Sequence, residues 1–185
     1  MNQQLQHIIE GCKNYKATHQ EAMYKYCYQQ MFAVCERYCT NRDDAAVLYN
    51  EGMLKVLSKI EKYEYKGEFM GWVRRIMVNT CIDFCRKNTL YSIQELDEKM
   101  EDQIFVSSEI ENKISSEEIV KLIQALPKST SLVFNLYAIE GYKFEEIAIA
   151  VNITIGTAKW HVSEARKTLR QKLKHYTNKA SIANG

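Results

Sequence analysis

The chain has 185 residues, 46% apolar and 26% charged, with one proline and seven glycines, enough to bury one good core or two small ones. That composition rules out collagen-like, low-complexity and wholly disordered chains, and the scarcity of breakers without any long alternating run argues against an all-β sandwich or barrel. The opening residues MNQQLQHIIEGCKNYK carry no export signal, and no apolar run approaches the roughly 18 residues of a membrane span, so a cytoplasmic address without membrane insertion is expected.

The N-terminal part, residues 1–88, reads as one helical module. An apolar, aromatic-rich helix is predicted over 23–38, and Asn41-Arg42-Asp43 marks a break. The next helix, over 44–63, buries Tyr49, Met53, Val56 and Ile60. Its other side carries Asp44, Leu48, Glu51 and Lys55, and an exposed leucine between acids suggests a face that receives another helix. After the break at 63–68, a helix over 69–87 buries Phe69, Val73, Ile76, Thr80 and Phe84. Arg74, Arg75, Asn79 and Arg86 are left for polar contacts, and Asp83 is expected to pair with Arg86 three residues on.

All six cysteines, Cys12, Cys27, Cys35, Cys39, Cys81 and Cys85, lie in this half, and a reducing compartment keeps them as thiols. Cys35 with Cys39 and Cys81 with Cys85 each share a helix face, so a four-thiolate zinc site is conceivable. Their four-residue spacing departs from the usual C-x2-C turn, which favours plain core packing, and no metal or cofactor is expected.

Charge is segregated. Residues 89–119 hold nine acids against two lysines, a net of −7, so the rest of the chain carries +9, concentrated over 72–88 and from 156 onward. Residues 89–115, polar and irregular in apolar spacing, read as an acidic flexible linker between two basic modules. That pattern suits two bodies that each touch a polyanion, and it equally suits ordinary domains on a solvated tether.

The C-terminal part, residues 116–176, reads as a helix-turn-helix module, followed by a disordered tail over 177–185. A helix over 116–125 stops at Pro127, and a second places Leu132, Val133, Leu136 and Ile139 inward before Gly141. A short third helix spans 144–150, and Thr154 is the expected N-cap of a last helix over 155–174. There Ala158, Val162, Ala165, Leu169 and Leu173 form one apolar stripe, with His161 at its edge. Lys159, Trp160, Ser163, Arg166, Lys167 and Arg170 form the outer face, with Trp160 exposed. Small alanines allow a tight helix-turn-helix, and the outer face suits a DNA major groove: lysine and arginine neutralise phosphates, Thr157 and Ser163 reach phosphates or base edges, and Trp160 offers a thymine methyl an apolar surface. Backbone amides around Thr154 and Thr157 add a phosphate site. Taken alone, such a charged helix face is usually just solvated.

Read together, the run from Asp43 through Leu48, Asn50 and Glu51 to Lys55, the stretch Lys66-Gly67-Glu68-Phe69-Met70-Gly71-Trp72-Val73-Arg74-Arg75-Ile76, and Asn79 through Asp83 to Arg86 resemble domain two of bacterial sigma factors. Leu126-Pro127, Gly141-Tyr142, Phe144-Glu145-Glu146-Ile147-Ala148 and Gly156-Thr157-Ala158-Lys159 resemble domain four, in the family's order and at its separation. The chain thus resembles the sigma-70 family, and within it the extracytoplasmic-function (ECF) group that keeps only these two domains.

The resemblance implies an all-α fold of two small helical domains and a non-enzymatic promoter-specificity subunit. Asp44, Leu48, Asn50, Glu51 and Lys55 would meet the β′ clamp helices of RNA polymerase, with contacts to the β subunit as well; Val47 stands where the family usually has a second acid. Tyr63, Tyr65, Lys66, Trp72, Arg74, Arg75, Asn79, Arg86 and Lys87 would read and melt the minus-ten element, with Asn79 at an extruded base. Tyr63 and Tyr65 offer stacking faces, and the cations follow the backbone. The same tyrosines can instead pack their loop, and Trp72, three residues after Phe69, suits a core as well as a wedge. The last helix would read the minus-thirty-five element. Promoter DNA and core polymerase are the expected partners, together with an anti-sigma factor of the kind this class commonly has, and no small-molecule substrate is expected. A conventional helix-turn-helix regulator, a sigma mimic that titrates an anti-sigma factor, and a zinc-thiolate enzyme or redox sensor using the paired cysteines are the alternatives.

Overall fold

The computed structural model describes residues 3–89 and 115–183, and these residues form helices and turns only. The expected linker lies outside them apart from its two end residues. The chain divides into two compact units, Met1–Phe84 and Cys85–Gly185.

In the first unit α1 (Gln3–Lys13) and α2 (Ala17–Glu36) pack against each other, followed by α3 (Arg42–Lys59), a single 3-10 turn (Ile60–Lys62) and α4 (Phe69–Thr89), whose residues after Phe84 belong to the second unit. The sequence reading begins the first helix at residue 23, whereas the structure adds α1 and starts α2 at Ala17. Leu5, Ile9 and Cys12, four and three residues apart, are buried and carry α1 onto the core. The pattern is present but short, and three apolar positions among polar neighbours say little until a partner covers them. Asn41 caps α3, its Oδ1 accepting from the Asp44 N–H at 2.8 Å and its Nδ2 donating to the Asp44 carboxylate at 2.9 Å.

The buried stripe of α3 is Ala45, Leu48, Tyr49, Gly52, Met53 and Val56. Leu48 is therefore core, with no exposed surface, and not the surface leucine that the sequence suggested. The reason is stripe width: a helix inside a bundle buries two adjacent rows, and Leu48 occupies the second row beside Tyr49. Tyr49 is the hub of an aromatic cluster, its ring 4.9 to 6.2 Å from those of Tyr24, Tyr28 and Phe32, and its hydroxyl donates to the Tyr24 carbonyl at 2.6 Å.

Five of the cysteines are buried and Cys85 half-buried, as packing residues would be. Burial pushes the Cys12 thiol up to about 11 and the Cys27 thiol up to about 12, and the Cys27 thiol donates to the Met23 sulfur at 3.9 Å. Thiols so buried stay protonated at neutral pH. Among the described residues no three His, Cys, Asp or Glu side chains are grouped as a metal site, and no helix is long and apolar enough to cross a membrane.

Beyond the end of α4, the next described helix of the second unit is α5 (Ser116–Gln124). Ser115 Oγ accepts from the Glu118 N–H at 3.2 Å, and the Glu118 carboxylate accepts from the Ser115 N–H at 2.9 Å. Then come α6 (Lys128–Phe134), a π-helical turn (Asn135–Ile139), α7 (Phe144–Val151) and α8 (Ile155–Ala183). The widened turn, closed by the Glu140 N–H on the Asn135 carbonyl at 3.0 Å, shifts the helical phase, so that Ile139, expected inward, is exposed. Gly141 at φ 74° and Asn152 at φ 61° supply the left-handed stops after this turn and after α7. The last helix continues to Ala183, beyond the expected end near 174 and through most of the expected tail. No proline or glycine interrupts 174–183 to stop it.

Candidate functional site

On α3 the buried rows leave Val47, Asn50, Glu51 and Leu54 on the opposite face, spaced three, one and three residues apart. Val47 is 52% and Leu54 68% exposed, so the apolar surface expected from Leu48 exists but is supplied by two other residues. The signal was legible as Val47 and Leu54 seven residues apart, one heptad on the same face. Asn50 accepts from the Tyr24 hydroxyl at 2.8 Å, which fixes its amide at the surface. Asp44 is drawn into the N-terminal cap of its own helix. Lys55 bridges to Asp83 on α4 at 3.4 Å, so Asp83 pairs across helices and not with Arg86 as expected.

The segment before α4 is built on aromatic packing. Tyr63, only 3% exposed, has its ring 5.1 to 5.2 Å from those of Tyr65, Phe69 and Trp72, and its hydroxyl donates to the Gly67 carbonyl at 3.1 Å. Burial of this kind makes Tyr63 the loop's anchor, unable to offer a stacking face. Tyr65 lies outside it, partly open, at φ 57°; Lys66 is exposed, and Gly67 at φ 86° completes the turn. Trp72 is half-buried against Tyr63 and Phe69, its ring 5.2 Å from the former and 5.8 Å from the latter.

Along α4 the exposed row is Arg75, Asn79, Asp83 and Arg86, with half-buried Trp72 three residues before Arg75 at its start and Lys87 flanking its end. Arg74 stands apart, on the side it shares with buried Val78 and Cys81, four and seven residues on. The structure thus brings Trp72, Arg75, Asn79 and Arg86 to one surface and separates Arg74 from them.

In the second unit α7, the turn at Asn152 and α8 form a tight helix-turn-helix. Ile147, Val151, Ala158, Val162 and Ala165 are buried together, and the alanines permit close approach of the helices. Thr154 caps α8: its Oγ1 accepts from the Thr157 N–H at 3.0 Å and lies 2.8 Å from the Thr157 hydroxyl. Both hydroxyls are thereby engaged in the cap. Lys159, Ser163, Arg166, Lys167 and Arg170 are exposed on the face away from the core. Trp160, expected exposed, is half-buried, its ring edge-on to His161 at 4.9 Å. The guanidinium of Arg166 sits 5.6 Å over the Tyr137 ring, which itself stacks on Phe144 at 4.5 Å. Sequence reading had no way to find that restraint, because Tyr137 is 29 residues away.

His161, expected at the boundary of the apolar stripe, is 1% exposed, with Thr130 Oγ1 3.0 Å from its Nδ1. Burial lowers its pKa from 6.5 to about 4, so it is a neutral core residue at physiological pH.

Residues 23–90 match sigma-70 region 2 and residues 116–169 match sigma-70 region 4. The RNA polymerase sigma factor SigV of Bacillus subtilis is 28% identical over 145 residues, covering 78% of this chain and 85% of SigV. The ECF sigma factor SigW of the same organism is 26% identical over 161 residues, covering 78% and 83%. In fold the chain is similar to the sigma factor RpoE of Bartonella quintana, solved with the anti-sigma factor NepR, at a TM-score of 0.51 and 20% identity over 83% of this chain and 96% of that one. With region 2 matched on the N-terminal helices and region 4 on the helix-turn-helix, the chain belongs to the sigma-70 family of RNA polymerase sigma factors, in its ECF group.

Proposed function

We propose that this sigma subunit binds core polymerase through residues 1–88, reads the minus-ten element with the same module, and reads the minus-thirty-five element with residues 116–176, the acidic segment 89–115 joining the two. It acts in the cytoplasm and steers the polymerase's chemistry while performing none. The observation that carries this reading is the exposed row Lys159, Ser163, Arg166, Lys167 and Arg170, set on α8 opposite the buried Ala158, Val162 and Ala165. A helix docked on its partner by alanines and presenting cations and a hydroxyl outward matches what the major groove requires.

The clamp-helix contact falls to Val47, Asn50, Glu51 and Leu54, with Asp44 and Lys55 at its margins. The minus-ten contact falls to Tyr65, Lys66, Trp72, Arg75, Asn79, Arg86 and Lys87, with Tyr63 as the buried anchor of the loop and Arg74 on another side of α4. Bartonella RpoE was solved with an anti-sigma factor, and a partner of that class is proposed for this chain too. The test is run-off transcription from a fragmented genomic library of the source organism with its core polymerase. Discrete start sites that depend on this protein are expected. Tight, sequence-specific DNA binding by the chain alone, without such starts, would favour a conventional regulator.

A further inference from the structure

The match to region 2 begins at residue 23, so α1 and its link to α2 lie before it. Yet the end of α1 is fastened to the segment proposed to read the minus-ten element. Lys13 Nζ donates to the Tyr63 carbonyl at 3.2 Å and sits 4.4 Å over the Tyr65 ring. The Tyr65 hydroxyl donates to the Glu10 carboxylate, and Glu10 lies 3.9 Å from the Lys13 ammonium. Two residues past Lys13, in the turn after α1, the Tyr15 hydroxyl donates to Glu61 at 2.6 Å. Three residues of the reading segment's stem and tip, Glu61, Tyr63 and Tyr65, are thus held from one short stretch of sequence.

Two further observations give this fastening a purpose. Tyr65 adopts φ 57°, a conformation that a bulky side chain avoids unless its surroundings impose it. Here Lys13 and Glu10 grip both faces of the problem, the ring and the hydroxyl. The position of α1 is itself fixed by a close crossing: a methyl on Gly11 would lie 2.0 Å from the ring of His19, so α1 rests on α2 with Glu10 and Lys13 aimed at the loop.

We propose that α1 is a clamp on the minus-ten reading loop, in which Lys13 and Glu10 are positioning residues that hold Tyr65 and Lys66 in one shape and so set base selectivity without touching DNA. The inference rests on the minus-ten role proposed above. A loop held in one shape offers an extruded base a preformed surface; a loose loop must be ordered on binding and accepts competing bases more evenly.

The test compares the full-length protein with K13M, K13R and E10A by two readouts: amide hydrogen exchange over residues 64–68, and base preference in a minus-ten promoter library transcribed with core polymerase. K13M keeps the apolar stem and removes the charge. Exchange should rise about tenfold, and preference for the best base should fall about fivefold, the scale of one lost cation–π contact and one hydrogen bond. Affinity for core polymerase should stay unchanged, and K13R should restore selectivity. E10A, at an exposed helical position, gives the same reading if K13M folds poorly. Unaltered exchange in both variants would overturn the clamp, and raised exchange with unaltered base preference would overturn its link to selectivity. Failure of the minus-ten role itself would show differently, in the unaltered protein directing no initiation, and it would remove the selectivity inference as well.

Discussion

The Nδ1 of His161 on α8 lies 3.0 Å from the Oγ1 of Thr130 on α6, and both side chains are sealed in the core of the second unit. Because burial depresses the imidazole pKa from 6.5 to about 4, the unfolded chain takes up a proton at a pH where the folded one does not. Stability from this site is full above about pH 6.5 and declines as pH falls towards 4, by up to about 3 kcal/mol in total. Urea unfolding of the full chain, followed by Trp160 fluorescence in a W72F background, should show that decline. H161Q should flatten the profile, and an equal slope in that variant would assign the acid sensitivity to other groups.

Leu48 and Leu54 separate folding from docking on a single helix. L48A removes a fully buried side chain and should cost about 2–5 kcal/mol in the unfolding free energy. L54D or V47D changes an exposed residue, so the thermal midpoint should hardly move while affinity for core polymerase falls at least about tenfold, as expected when a charge enters an apolar contact. Co-elution with the core enzyme and thermal denaturation of the same samples decide between them. Full binding by both charged variants would remove this face from the polymerase contact.

Gly52 and Met77 mark a close crossing of α3 and α4. A methyl on Gly52 would lie 2.2 Å from the Met77 sulfur, so G52A should destabilise by about 1–3 kcal/mol through overpacking. In an M77A background the clash is absent, and the better helix propensity of alanine should make the same change neutral or favourable by up to about 1 kcal/mol. A double-mutant cycle in urea reads the difference directly, and additive costs would mean that the Met77 side chain simply swings away.

The outer row of α8 should report itself through salt. Replacing Lys159 and Arg170 by alanine removes two exposed cations whose side chains carry no part of the core, so folding should be unaffected. If each meets a phosphate, the slope of log affinity against log salt for holoenzyme on promoter DNA should fall in magnitude by about 1.8. An unchanged slope would mean that these cations are merely solvated. Arg166 is left out of this pair because its contact with the Tyr137 ring would mix packing with phosphate binding.

Much of the fold was legible in the sequence because local rules operate where the chain is strongly patterned. The α8 stripe, Thr154 as its cap, Gly141 as a stop, and the all-α class all follow from helical spacing and capping chemistry, which depend on neighbours a few residues away. The family resemblance rested on two such local motifs in the right order, and the regional matches bear out the family. Which row of a helix is covered is a different kind of fact. Leu48 and Val47 are adjacent and similarly apolar, and only the packing of neighbouring helices decides that one is sealed and the other open. The same holds for Tyr63 turned inward beside an outward Tyr65, for Arg74 separated from Arg75, and for His161 enclosed under α6. Composition and periodicity thus determined that the chain would make helices with apolar sides and basic sides. Tertiary structure decided which side chains remained free to meet a partner, because burial depends on residues distant in sequence, and no local pattern carries that information.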